Sequence, residues 1–115
     1  MELPLLSNNE LKKGSAEMLV LGALEARSRH GYEICKSIER LSGGELSFNV
    51  ATFYPLLYKL EERGLIEGRW LERAGERRRR FYRITSDGRK ALIQHRRAFA
   101  RFVAAVHQVL GGDNA

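Results

Sequence analysis

The chain has 115 residues, 43% hydrophobic and 30% charged, and its 20 Lys and Arg against 14 Asp and Glu leave a net charge of +6. That length suits one domain with a single modest core, and the composition belongs to a globular chain rather than a disordered or membrane-embedded one. No apolar run approaches the roughly 18 residues that span a bilayer, Met1–Lys13 does not read as a secretory signal, and the lone Cys35 precludes an internal disulfide, so a cytoplasmic protein with an acidic partner is expected.

Met1–Gly14 reads as a loose polar arm, with helical character near Glu10–Lys13. Ser15 can cap a helix over Ala16–Arg27, with Glu17 in the first turn, where the helix dipole favours negative charge. Met18, Leu19, Val20, Leu21, Ala23 and Leu24 make that helix apolar nearly all round, which predicts burial on more than one side and hints at a second subunit. Ser28–Gly31 is a short connection to a helix over Tyr32–Leu41, lined inside by Ile34, Ile38 and Leu41 and stopped by Ser42-Gly43-Gly44. Two short helices around a glycine-bearing connection fit a helix-turn-helix pair.

The stretch Phe48–Arg83 carries the chemistry. Phe53, Leu56, Leu57 and Leu60 follow the i, i+3, i+4, i+7 spacing of one buried helical face. Asn49 is a good N-cap, Phe48 and Phe53 can form a hydrophobic staple, and Gly64 with Leu65 can close the C-terminus. Pro55 fits either a kinked helix capped at Asn49 or a start near Thr52 that puts it in the first turn. The opposite face carries Ala51, Thr52, Tyr54, Pro55, Tyr58 and Lys59. Leu65–Arg73 and Arg78–Thr85 then read as strands around the turn Ala74-Gly75-Glu76. Arg77, Arg78, Arg79 and Arg80 crowd this hairpin, where a neighbouring polyanion would relieve their repulsion. A tyrosine-bearing helix followed by a basic hairpin predicts a winged helix-turn-helix, with the helix in a major groove and the wing along phosphates. Trp70, Phe81 and Tyr82 are expected to pack the wing onto the domain.

Thr85 or Ser86 can cap a last helix ending at Gly111-Gly112. Leu92, Phe99 and Val106 lie seven apart, as do His95, Phe102 and Val109, which together make a seam for another helix. The expected organisation is an arm over 1–14, a winged helix-turn-helix over 15–85 and a dimerisation helix over 86–112. The fold class is mainly α with a small β-hairpin (α+β).

His30-Gly31-Tyr32-Glu33-Ile34 (HGYEI), Thr52–Glu61 (TFYPLLYKLE), Gly64-Leu65-Ile66 (GLI) and Arg80–Gly88 (RFYRITSDG) together resemble the PadR family of bacterial transcriptional regulators, over about residues 14–90. The resemblance implies a homodimeric DNA-binding protein, usually a repressor, of the short subfamily with one C-terminal helix. It also favours the earlier helix start, at Asn49. Tyr54 matches the family's helix tyrosine, and Thr52 and Lys59 match positions near DNA. Members that bind flat aromatic drugs use a tryptophan on the final helix; here the sole tryptophan, Trp70, lies in the wing. The apolar space near Phe99 and Phe102, between two final helices, is the candidate site for a small aromatic inducer.

Among the remaining groups, His30, His95 and His107 lack metal-ligand spacing to one another or to Cys, Asp or Glu, so no metal or other cofactor is expected. Cys35 reads as a small buried residue. No nucleophile motif, phosphate-cradling glycine loop or tasked carboxylate pair stands out, so an enzyme is not expected. A repressor binding double-stranded DNA at a pseudo-palindromic operator is the leading reading. A winged-helix protein–protein module and a non-specific nucleic-acid binder are the alternatives.

Overall fold

Seven elements follow one another along residues 8–112, which the computed structural model describes: α1 (Asn8–Ala23), β1 (Arg29–His30), α2 (Gly31–Leu41), α3 (Val50–Glu62), β2 (Ile66–Leu71), β3 (Arg79–Ile84) and α4 (Ser86–Gly112). The strands form one antiparallel sheet in the order β1-β3-β2. Its register runs from Ile66 opposite Ile84 to Leu71 opposite Arg79, while β1 sets Arg29 opposite Tyr82 and His30 opposite Phe81. Val20, Leu21 and Leu24 meet Ile34 and Ile38 of α2, Phe53, Leu57 and Leu60 of α3, and Ile66, Tyr82 and Ile84 of the sheet in one core. Burial of each such side chain stabilises the fold by about 1.5–3 kcal/mol.

The helix ends that aim the functional face are well specified. Asn49 caps α3 by accepting a 2.8 Å bond from Ala51 N, and Phe48 packs on Phe53 with ring centroids 5.3 Å apart. At the other end Leu65 N bonds Leu60 O and Gly64 N bonds Glu61 O, a Schellman closure in which Gly64 takes φ +76°. Thr85 starts α4: its Oγ accepts from Gly88 N at 3.0 Å and donates to Gly64 O at 2.6 Å. Gly88 is sterically required, because a Cβ there would lie 2.1 Å from the Leu65 carbonyl oxygen.

Several elements differ from the sequence reading. The first helix begins at Asn8, within the expected arm, and ends at Ala23 instead of Arg27. Its last carbonyl accepts a 2.7 Å bond from Arg29 Nε, and Leu24 stays buried beyond the helix. The connection before α2 contains β1, a sheet edge of only two residues. Leu41 is 70% exposed, because the core-facing side of α2 ends at Ile38. The hairpin strands are shorter than expected and leave residues 72–78 as a wider connection. Residues 1–7 of the expected arm lie outside the described residues.

The largest difference is on α4. Leu92 is 2% exposed and belongs to the domain's own core, and the His95 ring nitrogen Nε2 pairs with Glu17 on α1. The start of the heptad seam therefore docks α4 onto α1 within one chain. Beyond it Phe99, Phe102, Val109 and Leu110 stand 50–80% exposed.

Candidate nucleic-acid interface

Helix α3 divides its residues by face. Phe53, Leu57 and Leu60 are buried, whereas Ala51, Thr52, Pro55, Tyr58 and Lys59 are exposed. Pro55 lies past the first turn, so it removes the i→i−4 donor for the Ala51 carbonyl on this outward side. Tyr54 is half-buried instead of exposed. Its ring stands edge-on to Phe53 at 6.4 Å and presses on Gly31, where an added Cβ would come within 2.6 Å of ring atom Cε1. Only glycine permits that approach. Burial, with Cys35 and Tyr58 nearby, pushes the Tyr54 hydroxyl above its ordinary pKa and keeps it a neutral donor at physiological pH.

Strand alternation sorts the wing arginines. Trp70 stands opposite Arg80 and Gly68 opposite Tyr82, so these four share the inward-facing side of the hairpin. Arg80 pairs with Glu61 at the end of α3, and the same carboxylate accepts from Gly68 N at 3.2 Å. Gly68 leaves the space that the Arg80 guanidinium fills: a Cβ there would lie 2.4 Å from Arg80 Nε. Arg80 is therefore turned inward to fix the wing against α3, while Arg77, Arg78 and Arg79 stay exposed. Arg78 lies over the Trp70 ring, 4.7 Å from its centroid, and pairs with Glu72 at 3.8 Å. Trp70 is 52% exposed, so it does not pack the wing onto the domain as expected; Tyr82, at 2%, does.

Between these two elements runs an open groove of about 540 Å³. Tyr54 and Tyr58 line one side, Trp70 and Arg77 to Arg80 the other, with His30, Gly31, Tyr32 and Tyr82 completing it. The helix tyrosines and wing arginines expected to act together are brought together here. Ala51, Thr52, Pro55 and Lys59 lie outside the groove lining, on the exposed face of α3. Composition did not point to His30, Gly31 or Tyr32; their adjacency in the HGY triplet was the available signal. Burial pushes the Cys35 thiol up, away from the reactive thiolate.

A helix with an exposed tyrosine-bearing face, set beside an arginine wing, matches a family model for PadR-like transcriptional regulators over residues 20–94. The chain belongs to the PadR-like family. A transcriptional regulator of Mycobacterium tuberculosis is 39% identical over 87 residues, covering 76% of this chain and 64% of that protein. The fold is similar to a transcriptional regulator from Clostridium thermocellum, with a TM-score of 0.80 and 26% identity over 90% of this chain and 97% of that one. It is also similar to Bacillus subtilis PadR in complex with operator DNA, with a TM-score of 0.62 and 25% identity over 69% of this chain and 44% of that one. The segment matching the PadR-like model contains every groove residue and stops before Phe99.

Proposed function

We propose that this PadR-like protein is a homodimeric repressor that binds a pseudo-palindromic operator duplex. The observation that carries the reading is the groove that sets Tyr54 and Tyr58 of α3 against Arg77, Arg78 and Arg79 of the wing. An exposed helix of this kind fits a major groove, and the adjoining arginines fit the flanking phosphates. Ala51, Thr52, Pro55 and Lys59 are the candidate base contacts; Tyr54, Tyr58 and the exposed arginines position the duplex. The similarity to a PadR bound to operator DNA supports the same assignment. The protein acts by binding and not by catalysis, in the cytoplasm with the bacterial chromosome.

Residues 15–85 form the DNA-binding unit in this reading, and 86–112 the dimerisation helix. The exposed half of α4, with Phe99, Phe102, Val106 and Val109, is the surface for the second copy. Two such helices would enclose an apolar space near Phe99 and Phe102 fit for a small aromatic inducer. Selection of duplexes from a random pool by the purified protein tests the function. An inverted repeat should emerge. Recovery of no common sequence would leave only non-specific binding.

A further inference from the structure

His30 faces two hydrogen-bond donors with one lone pair to offer. Its Nδ1 lies 3.1 Å from the Glu33 N–H, the bond that caps α2, and its Nε2 lies 2.8 Å from Arg79 Nη1. A neutral imidazole has one acceptor nitrogen and one N–H, and a protonated one has two N–H groups and no acceptor. The Glu33 N–H is fixed by the helix, whereas Arg79 is an exposed wing side chain that can turn. The cap therefore takes the lone pair and leaves the proton on Nε2. Edge contact with Phe81, at 5.5 Å between ring centroids, holds the ring in that orientation.

Nε2–H and the Arg79 guanidinium are then two donors 2.8 Å apart, an arrangement that a shared acceptor relieves. Glu33, the neighbouring carboxylate, is taken up by Arg27 and by Arg29 at 3.1 Å and does not supply that acceptor. We propose that His30 and Arg79 form a phosphate-binding pair for the duplex backbone at the N-terminus of α2. His30 donates from Nε2 as a neutral group, and Arg79 supplies the charge. The pair rests on the duplex-binding reading above. It extends the interface from the recognition helix and wing to the preceding helix.

The two partners differ in charge, which gives the test its signature. His30→Asn keeps an oxygen at the capping position, where asparagine is among the best residues, but is too short to reach Arg79. The variant should fold with wild-type thermal stability near neutral pH and bind its selected duplex about tenfold more weakly. The slope of log K against log salt should stay unchanged, because no cation is lost. Arg79→Gln should weaken binding and flatten that slope by about 0.9. Imidazole 15N shifts of the free protein should show His30 protonated on Nε2. Wild-type affinity in His30→Asn, a slope flattened as if a charge were lost, or a His30 protonated on Nδ1 would each overturn the pair. A wild-type protein that binds no duplex would overturn the duplex reading and this contact with it, whatever the tautomer.

Discussion

Tyr54 is anchored through its ring, which packs on Gly31 and Phe53, while its hydroxyl remains a neutral donor beside the groove. Tyr54→Phe keeps the ring and deletes only that hydroxyl. Operator affinity should fall by about 0.5–1.5 kcal/mol, with thermal stability unchanged, if the hydroxyl holds a phosphate. Equal affinity at matched salt would assign Tyr54 to packing alone. His30 makes a different prediction. Burial, then the nearby Arg79 and Arg27, hold its imidazole below the ordinary value of 6.5, against the opposing pull of Glu33. The unfolded chain therefore takes up the proton more readily than the folded one. This contribution to stability is fully present above pH 6.5 and is lost as the pH falls through the lower folded value. Thermal melts of His30→Asn should lose part of the wild-type decline in that window. An identical decline in both would contradict the assignment. The role of His30 was hard to read in sequence because histidine is not among the usual N-cap residues. The packing of Tyr54 was hidden because it depends on a glycine 23 positions earlier, which no helical period reveals.

Helix α3 and the wing meet at Glu61, which binds both Arg80 and the Gly68 backbone. Both partners are only part-exposed, so a double-mutant cycle of Glu61→Gln and Arg80→Gln should give a coupling of about 1 kcal/mol in unfolding free energy. A coupling of zero would make the pair incidental. The exposed elements should fail in distinct ways. Arg78→Ala should weaken all duplexes alike and reduce the salt slope by about 0.9. Lys59→Ala, as a base contact, should cost about 1–3 kcal/mol more on the operator than on random duplex. Equal losses on both duplexes would move Lys59 to the backbone. The helix, its caps and the wing were legible because their residue types and spacings are local. The inward turn of Arg80 was not read from the sequence, which grouped it with Arg77, Arg78 and Arg79, because its partner Glu61 lies 19 residues away on another element. Trp70 shares the inner face, but the strands run past the core before reaching it.

The molecule measures 66 × 33 × 22 Å, a length drawn out by the 27 residues of α4, which span about 40 Å. Its first half is fastened to α1. Leu92 enters the core, and Glu17 accepts from both His95 and Arg63. Burial opposes ionisation of Glu17, yet the bonds from His95 and Arg63 outweigh it and hold the carboxyl below its usual range. Arg96 adds bonds of 2.7 and 2.8 Å to Glu25. The sevenfold spacing marks Phe99, Phe102, Val106 and Val109, which the single chain leaves exposed. It could not say that Leu92 and His95 would be claimed by α1, because a heptad does not distinguish a partner in the same chain from one in another. Phe99→Ala with Phe102→Ala separates the two cases. In the proposed dimer both exposed rings become buried, and each truncation of a buried aromatic removes about 3–5 kcal/mol, so the double variant should sediment as a monomer while the winged helix keeps its fold. A dimer of wild-type stability would place the second copy elsewhere.

In the proposed function α3 and the wing form one surface that reads a duplex sequence. The direct measurement is the affinity of the purified protein for its selected inverted repeat against a scrambled duplex of the same length and composition, at fixed physiological salt. Specific binding should exceed the scrambled duplex by about a thousandfold or more. Equal affinities would show a basic protein holding phosphates without reading bases, and would contradict sequence-specific binding by α3 and the wing.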